Sequence, residues 1–181
     1  MDWYLDWVKG NMLLSAFVQF AVLGTLGEIL GVLAAKRPLL RKVAEWALKA
    51  LVWGFLGICV KYAFKGFGGF VDALVAQRLL PAALGRDGGV PLLRALGLSF
   101  FMNAQFGPLL MFLHRSTDNL ITRARGYAGI EKSLLTLAWF WLPAHTVTFS
   151  LPADYQIGVA ALLSVALGLI MGFTKRPKAQ A

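Results

Sequence analysis

Apolar residues run almost unbroken through five stretches of this chain, 12–35, 43–64, 92–113, 134–151 and 155–173, and the polar residues collect between them. A helix needs about 20 apolar residues to cross the hydrocarbon core of a bilayer. The pattern therefore predicts an all-α, polytopic membrane bundle of four to five transmembrane helices, five favoured, in a single domain over residues 1–181. Stretch 134–151 is short and holds Pro143 and His145. Read as a kinked span it gives five crossings; read as re-entrant it gives four. Proline is tolerated in a membrane helix when neighbours satisfy the backbone groups it frees.

The polar intervals refine this outline. Over 65–80, Phe67, Phe70, Val71, Leu74 and Val75 follow helical spacing, with Asp72 and Gln77 off that face. This fits either an interfacial helix or an extension of the second span past Gly66–Gly69. Pro81 and the glycines between Gly85 and Gly89 predict a loop, and Pro91 suits the first turn of the next helix. Asp2 and Asp6 precede the first apolar run, unlike a secretory leader. Trp3, Tyr4 and Trp7 read as anchors at the membrane interface.

Composition agrees with a membrane domain: 58% of residues are hydrophobic and the mean hydropathy is +0.65. The formal net charge of +9 would suit nucleic acid, but the cations sit at the ends of apolar runs, where they meet anionic lipid headgroups. No basic stripe interleaved with aromatics offers a nucleic-acid platform. With five spans, Lys36, Arg37, Arg41, Lys42, Arg115, Arg123, Arg125, Lys132, Lys175, Arg176 and Lys178 fall on one side, against Lys9, Arg78, Arg86 and Arg94 on the other. The positive-inside rule then predicts N-out, C-in. A bacterial inner membrane is favoured, with a mitochondrial or peroxisomal membrane as the alternative.

Small residues mark the packing faces. Ala160, Ser164, Gly168 and Gly172 recur every four residues, as do Gly27, Gly31 and Ala35, with Gly24 beside them. Such stripes let backbones approach closely. Packing within one chain is the favoured use and a homodimer seam the other.

Ionisable and amide groups inside spans are the functional candidates. Glu28 and Lys49 flank the first hairpin at almost equal depth, roughly 7 Å from the midplane at about 1.5 Å rise per residue, and an ion pair between them is expected. Asn103 and Gln105 lie near the centre of the third span, either as interhelical glue or as pore lining. His145, Gln19 and Lys61 share an outer depth and are candidates for a vestibule. Cys59 is the only cysteine, and His114 and His145 form no metal-ligand pattern. No phosphate loop ending in Gly-Lys-Ser/Thr occurs, and no nucleophile–base arrangement proposes an enzyme. No cofactor or metal is implied.

The runs Gly24-Thr25-Leu26-Gly27-Glu28, Gly54-Phe55-Leu56-Gly57 and Trp141-Leu142-Pro143-Ala144-His145, followed by Phe149 and Pro152, resemble elements of a family of small organelle membrane proteins. That family includes Mpv-seventeen and the twenty-two-kilodalton peroxisomal membrane protein. Ile58 stands where the family usually has proline, His145 where it has glutamine, and Gln156 where it has arginine. The resemblance implies a weakly selective pore for small solutes, with weight on Glu28, Trp141, Pro143 and His145. The expected function is thus a small pore or transporter for solutes. A non-transporting scaffold or assembly partner is the alternative, and a lipid-handling protein a further one.

Overall fold

The computed structural model describes residues 2–39, 42–87 and 89–174. Arg41, Lys175, Arg176 and Lys178, which enter the charge comparison, lie outside the described residues. The described chain is helical throughout: α1 (Asp2–Gly10), α2 (Met12–Ala34), α3 (Val43–Ala76), α4 (Pro91–Thr122), α5 (Ile130–Thr136), a π-helical turn (Leu137–Trp141), α6 (Leu142–Phe149) and α7 (Ala153–Thr174). A single 3-10 turn, Ala82–Leu84, interrupts the loop between α3 and α4. Four helices, α2, α3, α4 and α7, are long and apolar enough to cross a membrane. Leu13, Val22, Leu51, Phe55, Leu109 and Leu162 stand exposed around them, as lipid-facing side chains do. The protein is an integral membrane protein.

Two spans run longer than their apolar cores. Of the two readings of 65–80, the extension of the second span holds: α3 continues to Ala76, and no separate interfacial helix forms there. A Cβ added at Gly66, Gly68 or Gly69 would meet nothing within 4 Å. The segment is instead held by packing against α4: Val71 is fully buried and Phe70 meets Phe101 edge-on at 5.5 Å. Tertiary contact here outweighs the roughly 1 kcal/mol that each glycine costs a helix. Arg94 clamps the far end, donating to Asp72 through Nη1 at 2.6 Å and Nη2 at 3.1 Å and to the Leu84 carbonyl at 3.0 Å. Likewise α4 starts at Pro91, as expected, but runs on through Pro108 to Thr122, so most of the polar interval between the stretches 92–113 and 134–151 is helix.

The stretch 134–151 forms an interrupted rod rather than one long helix. Pro143 has no N–H and its ring crowds the carbonyl four residues back. The widened π-turn immediately before α6 takes up that mismatch. Helix directions show how far the rod reaches. Gly24 meets Trp53 and Gly57 meets Ala16 and Phe20, so α2 and α3 are antiparallel. The Asp72–Arg94 pair at one end, and a Lys49–Asp118 pair at the other, make α3 and α4 antiparallel. Gly107 meets Leu137, and Ser99 Oγ donates to the Leu142 carbonyl at 2.7 Å, so the rod runs back along α4. Gln19 lies against Gly158 and Gly31 against Gly168, so α7 is parallel to α2. The rod therefore returns the chain along the bundle, and the chain traverses it five times.

The two small-residue stripes face each other within the chain. A Cβ added at Gly168 would collide with the Gly27 carbonyl oxygen, and one at Gly172 with that of Gly31. The stripe offered as a dimer seam is thereby occupied by its own chain. At the other end α1 folds onto the α2–α7 pair. Tyr4 stacks on Tyr155 at 6.4 Å and donates to Gln19 Oε1 at 2.9 Å. Burial, and then Tyr155, hold the Tyr4 phenol above its usual pKa, so it remains a donor. Gly168→Ala should cost about 1–3 kcal/mol by overpacking, whereas Gly68→Ala should be neutral or stabilising by up to about 1 kcal/mol. Thermal unfolding of the detergent-solubilised variants checks both.

Candidate functional site

The buried charges come from three helices. α2 brings Glu28, α3 brings Lys49 and Trp53, and α4 brings Asp118. The expected Glu28–Lys49 pair forms, and Lys49 Nζ also donates to Asp118 Oδ1. Trp53 Nε1 donates to the second Glu28 oxygen at 3.1 Å. Lys49 is 5% exposed, and its two carboxylate partners are 20% and 26% exposed. The cation is thus enclosed while both anions keep an accessible edge. One turn before Asp118, His114 packs its ring 4.5 Å from that of Trp53.

The second polar cluster joins α4 to α6. Asn103 Nδ2 donates to the Ser99 carbonyl at 2.8 Å and lies 3.2 Å from His145 Nδ1. A carbonyl can only accept, so the amide nitrogen is fixed in place and His145 Nδ1 accepts, leaving its proton on Nε2. His145 stacks on Trp141 at 4.9 Å and meets the edge of Phe64 at 5.6 Å. Both Asn103 and His145 are buried.

A cavity of about 230 Å³ lies between the two clusters. Ser133, Thr136 and Leu137 wall it on one side and Ser164, Leu167 and Met171 on the other, so it parts α5 from α7. The remaining wall is chiefly apolar, from Phe20, Leu56, Val60, Met102, Phe106 and Leu110. Glu28, Trp53, His114, Asn103, Trp141 and His145 supply its polar groups. His114 Nδ1 and Trp141 Nε1 are buried without a hydrogen-bond partner.

The expected site residues divide sharply. Glu28, Asn103 and His145 line the cavity, and Lys49 holds Glu28 from behind. Gln105 does not line it: it is exposed on the outer face of α4, beside a shallow groove with Cys59, Tyr62 and Phe70. Two positions along a helix from Asn103 is about 200° of rotation, which carries Gln105 to the opposite face. Gln19 is drawn into the α1–α2–α7 seam by Tyr4 and by its own bond to the Ser15 carbonyl at 3.0 Å. Lys61 is half-buried away from the cavity walls. The expected vestibule of Gln19, Lys61 and His145 is therefore not assembled. Asp118, His114 and Trp53 were missed. Asp118 and His114 share the i, i+4 spacing of one helix face, a signal masked by ending the third span at residue 113 and reading the polar interval after it as a connection. Among the described residues, no group of three or more His, Cys, Asp or Glu is placed to hold a metal ion.

No protein-family model, curated protein or solved structure matches this chain.

Removing one member of a buried ion cluster strands the others. Lys49→Met leaves Glu28 and Asp118 without their cation and should destabilise the bundle by about 3–5 kcal/mol. The triple variant Glu28→Gln, Lys49→Met, Asp118→Asn should recover much of that loss. Unfolding midpoints of the two proteins in one detergent give the comparison.

Proposed function

We propose that this protein carries small solutes across its membrane through the central cavity, as a transporter rather than as a wide water-filled channel. The observation that carries the reading is the cavity itself, set among the traverses with a polar cluster toward each end. Its chiefly apolar walls disfavour a continuous file of water, which a simple ion pore requires. They suit a solute with apolar surface and a few hydrogen-bonding groups, the usual character of a small-molecule site. The wall formed by α5, the π-turn and α6 is the interrupted one, and π-turns recur where helices serve function. Movement of that wall against α7 is the proposed route by which the cavity opens.

The charge distribution supports N-out, C-in insertion, with the Glu28–Lys49–Asp118 end of the cavity toward the cytoplasm. In this proposal the membrane is a bacterial inner membrane. The pore-like activity implied by the resemblance to the Mpv-seventeen family is of the same general kind, but the proposal stands on the cavity. A scaffold whose glycine stripes recruit another chain has less support, since those stripes already pack α2 against α7.

Flux of neutral solutes of graded size from liposomes carrying the purified protein tests this reading. Ser133→Trp, which places a large side chain in the cavity, should remove most of the protein-dependent flux. Gln105→Leu, on the outer face, should leave it intact. Flux no greater than from empty vesicles, with the protein shown folded and inserted, would sink the proposal.

A further inference from the structure

We infer that the cavity selects a small lipophilic cation, an ammonium-type head on an aromatic or aliphatic body. This rests on reading the cavity as a solute site. The argument begins with charge. Lys49 is bonded to two carboxylates at once, so the cluster holds one more negative charge than positive. Lys49 is absent from the cavity wall, whereas Glu28 is part of it. The formal charge that reaches the cavity is therefore a carboxylate, and among the described residues no lysine or arginine lines its wall to receive an anionic solute. Arg115, next along α4 from His114, turns to the exposed loop and donates to the Ala128 carbonyl at 3.2 Å.

Ring placement gives the second argument. Trp53 lines the cavity while its indole N–H is fixed on Glu28 Oε2. An indole ring and a carboxylate thereby line the same end of the cavity. A cation near an aromatic face is attracted by the ring quadrupole, most strongly when desolvated, and low-dielectric walls strengthen the attraction of the excess negative charge. Phe20, Phe106 and Trp141 extend the aromatic wall toward the Asn103–His145 cluster, where an apolar body is accommodated. His114 keeps its Nδ1 unpaired at the same end, a buried polar atom that a hydrogen-bonding group on the solute can satisfy.

The test compares three probes of one shape on the purified full-length protein: benzyltrimethylammonium, its neutral isostere neopentylbenzene, and phenylmethanesulfonate. Equilibrium dialysis against empty micelles reads binding. The cation should bind at least about tenfold more tightly than the neutral isostere, and the sulfonate should bind weakest. Glu28→Gln, which leaves Lys49 its Asp118 partner, should bring the cation-to-neutral ratio down toward one. The wild-type ranking needs no variant, so a misfolded Glu28→Gln would not rescue a failed prediction. Equal binding of cation and neutral probe, or tighter binding of the sulfonate, would overturn the cation assignment and leave the cavity as a solute site. Failure of all three probes to bind, together with flux unaffected by Ser133→Trp, would overturn the transport reading as well.

Discussion

An ammonium group buried in a bilayer must carry its own solvation with it. Lys49 does this with two carboxylates, one from the preceding helix and one from the following helix. Each ion alone would cost several kcal/mol to bury, so α2, α3 and α4 are held to the one arrangement that brings all three together. The register of α3 against α4 follows from that contact at one end and from the Asp72–Arg94 clamp at the other. The cavity inherits its geometry from the same constraint, because Glu28, one of the two carboxylates that satisfy Lys49, also lines it and holds the Trp53 indole beside it.

The hydrophobic pattern made the passages legible, since each apolar stretch corresponds to one passage of the chain along the bundle, but length alone marks only four of them as membrane-crossing helices. The Glu28–Lys49 pair was legible for a similar reason: a short hairpin fixes relative depth, and depth can be counted. Asp118 was not, because the turn joining α3 to α4 lies at the opposite end of the bundle, so no short hairpin fixes its depth against Lys49, and its neighbours Arg115, Ser116 and Thr117 imitate a loop. Those hydroxyls bond back to carbonyls three or four residues earlier, which lets a polar segment remain helical. Gln105 shows the opposite failure. Depth along a helix can be counted from an end, but facing depends on neighbours that hydropathy does not name. The pairing of Asn103 with His145 likewise depends on how the π-turn rotates α6.

The bundle is built from two kinds of helix contact with different tolerances. Along α2 and α7 the backbones touch, and the contact is dry, close and unforgiving of a single methyl group. Between α5 and α7 the side chains stand apart and enclose space. Close contacts of the first kind have little freedom to slide, so any motion that changes the cavity falls on the interrupted rod. The stacked pair Trp141–His145 lies at the junction of π-turn and α6, where a change in rod geometry would be felt first.

The parallel pairing of α2 with α7 also sets an order of events during synthesis. Gly27 and Gly31 enter the membrane early, yet the backbone that covers them belongs to residues 164–172. Until α7 is inserted, α2 can settle its charge with α3 and α4 but presents an open glycine groove to lipid or to another nascent chain. Contacts so distant in sequence form late, and the interval before they form is when a membrane protein is most exposed to mispairing and to quality-control proteases. The tightest seam in the finished molecule is thus also its last to close.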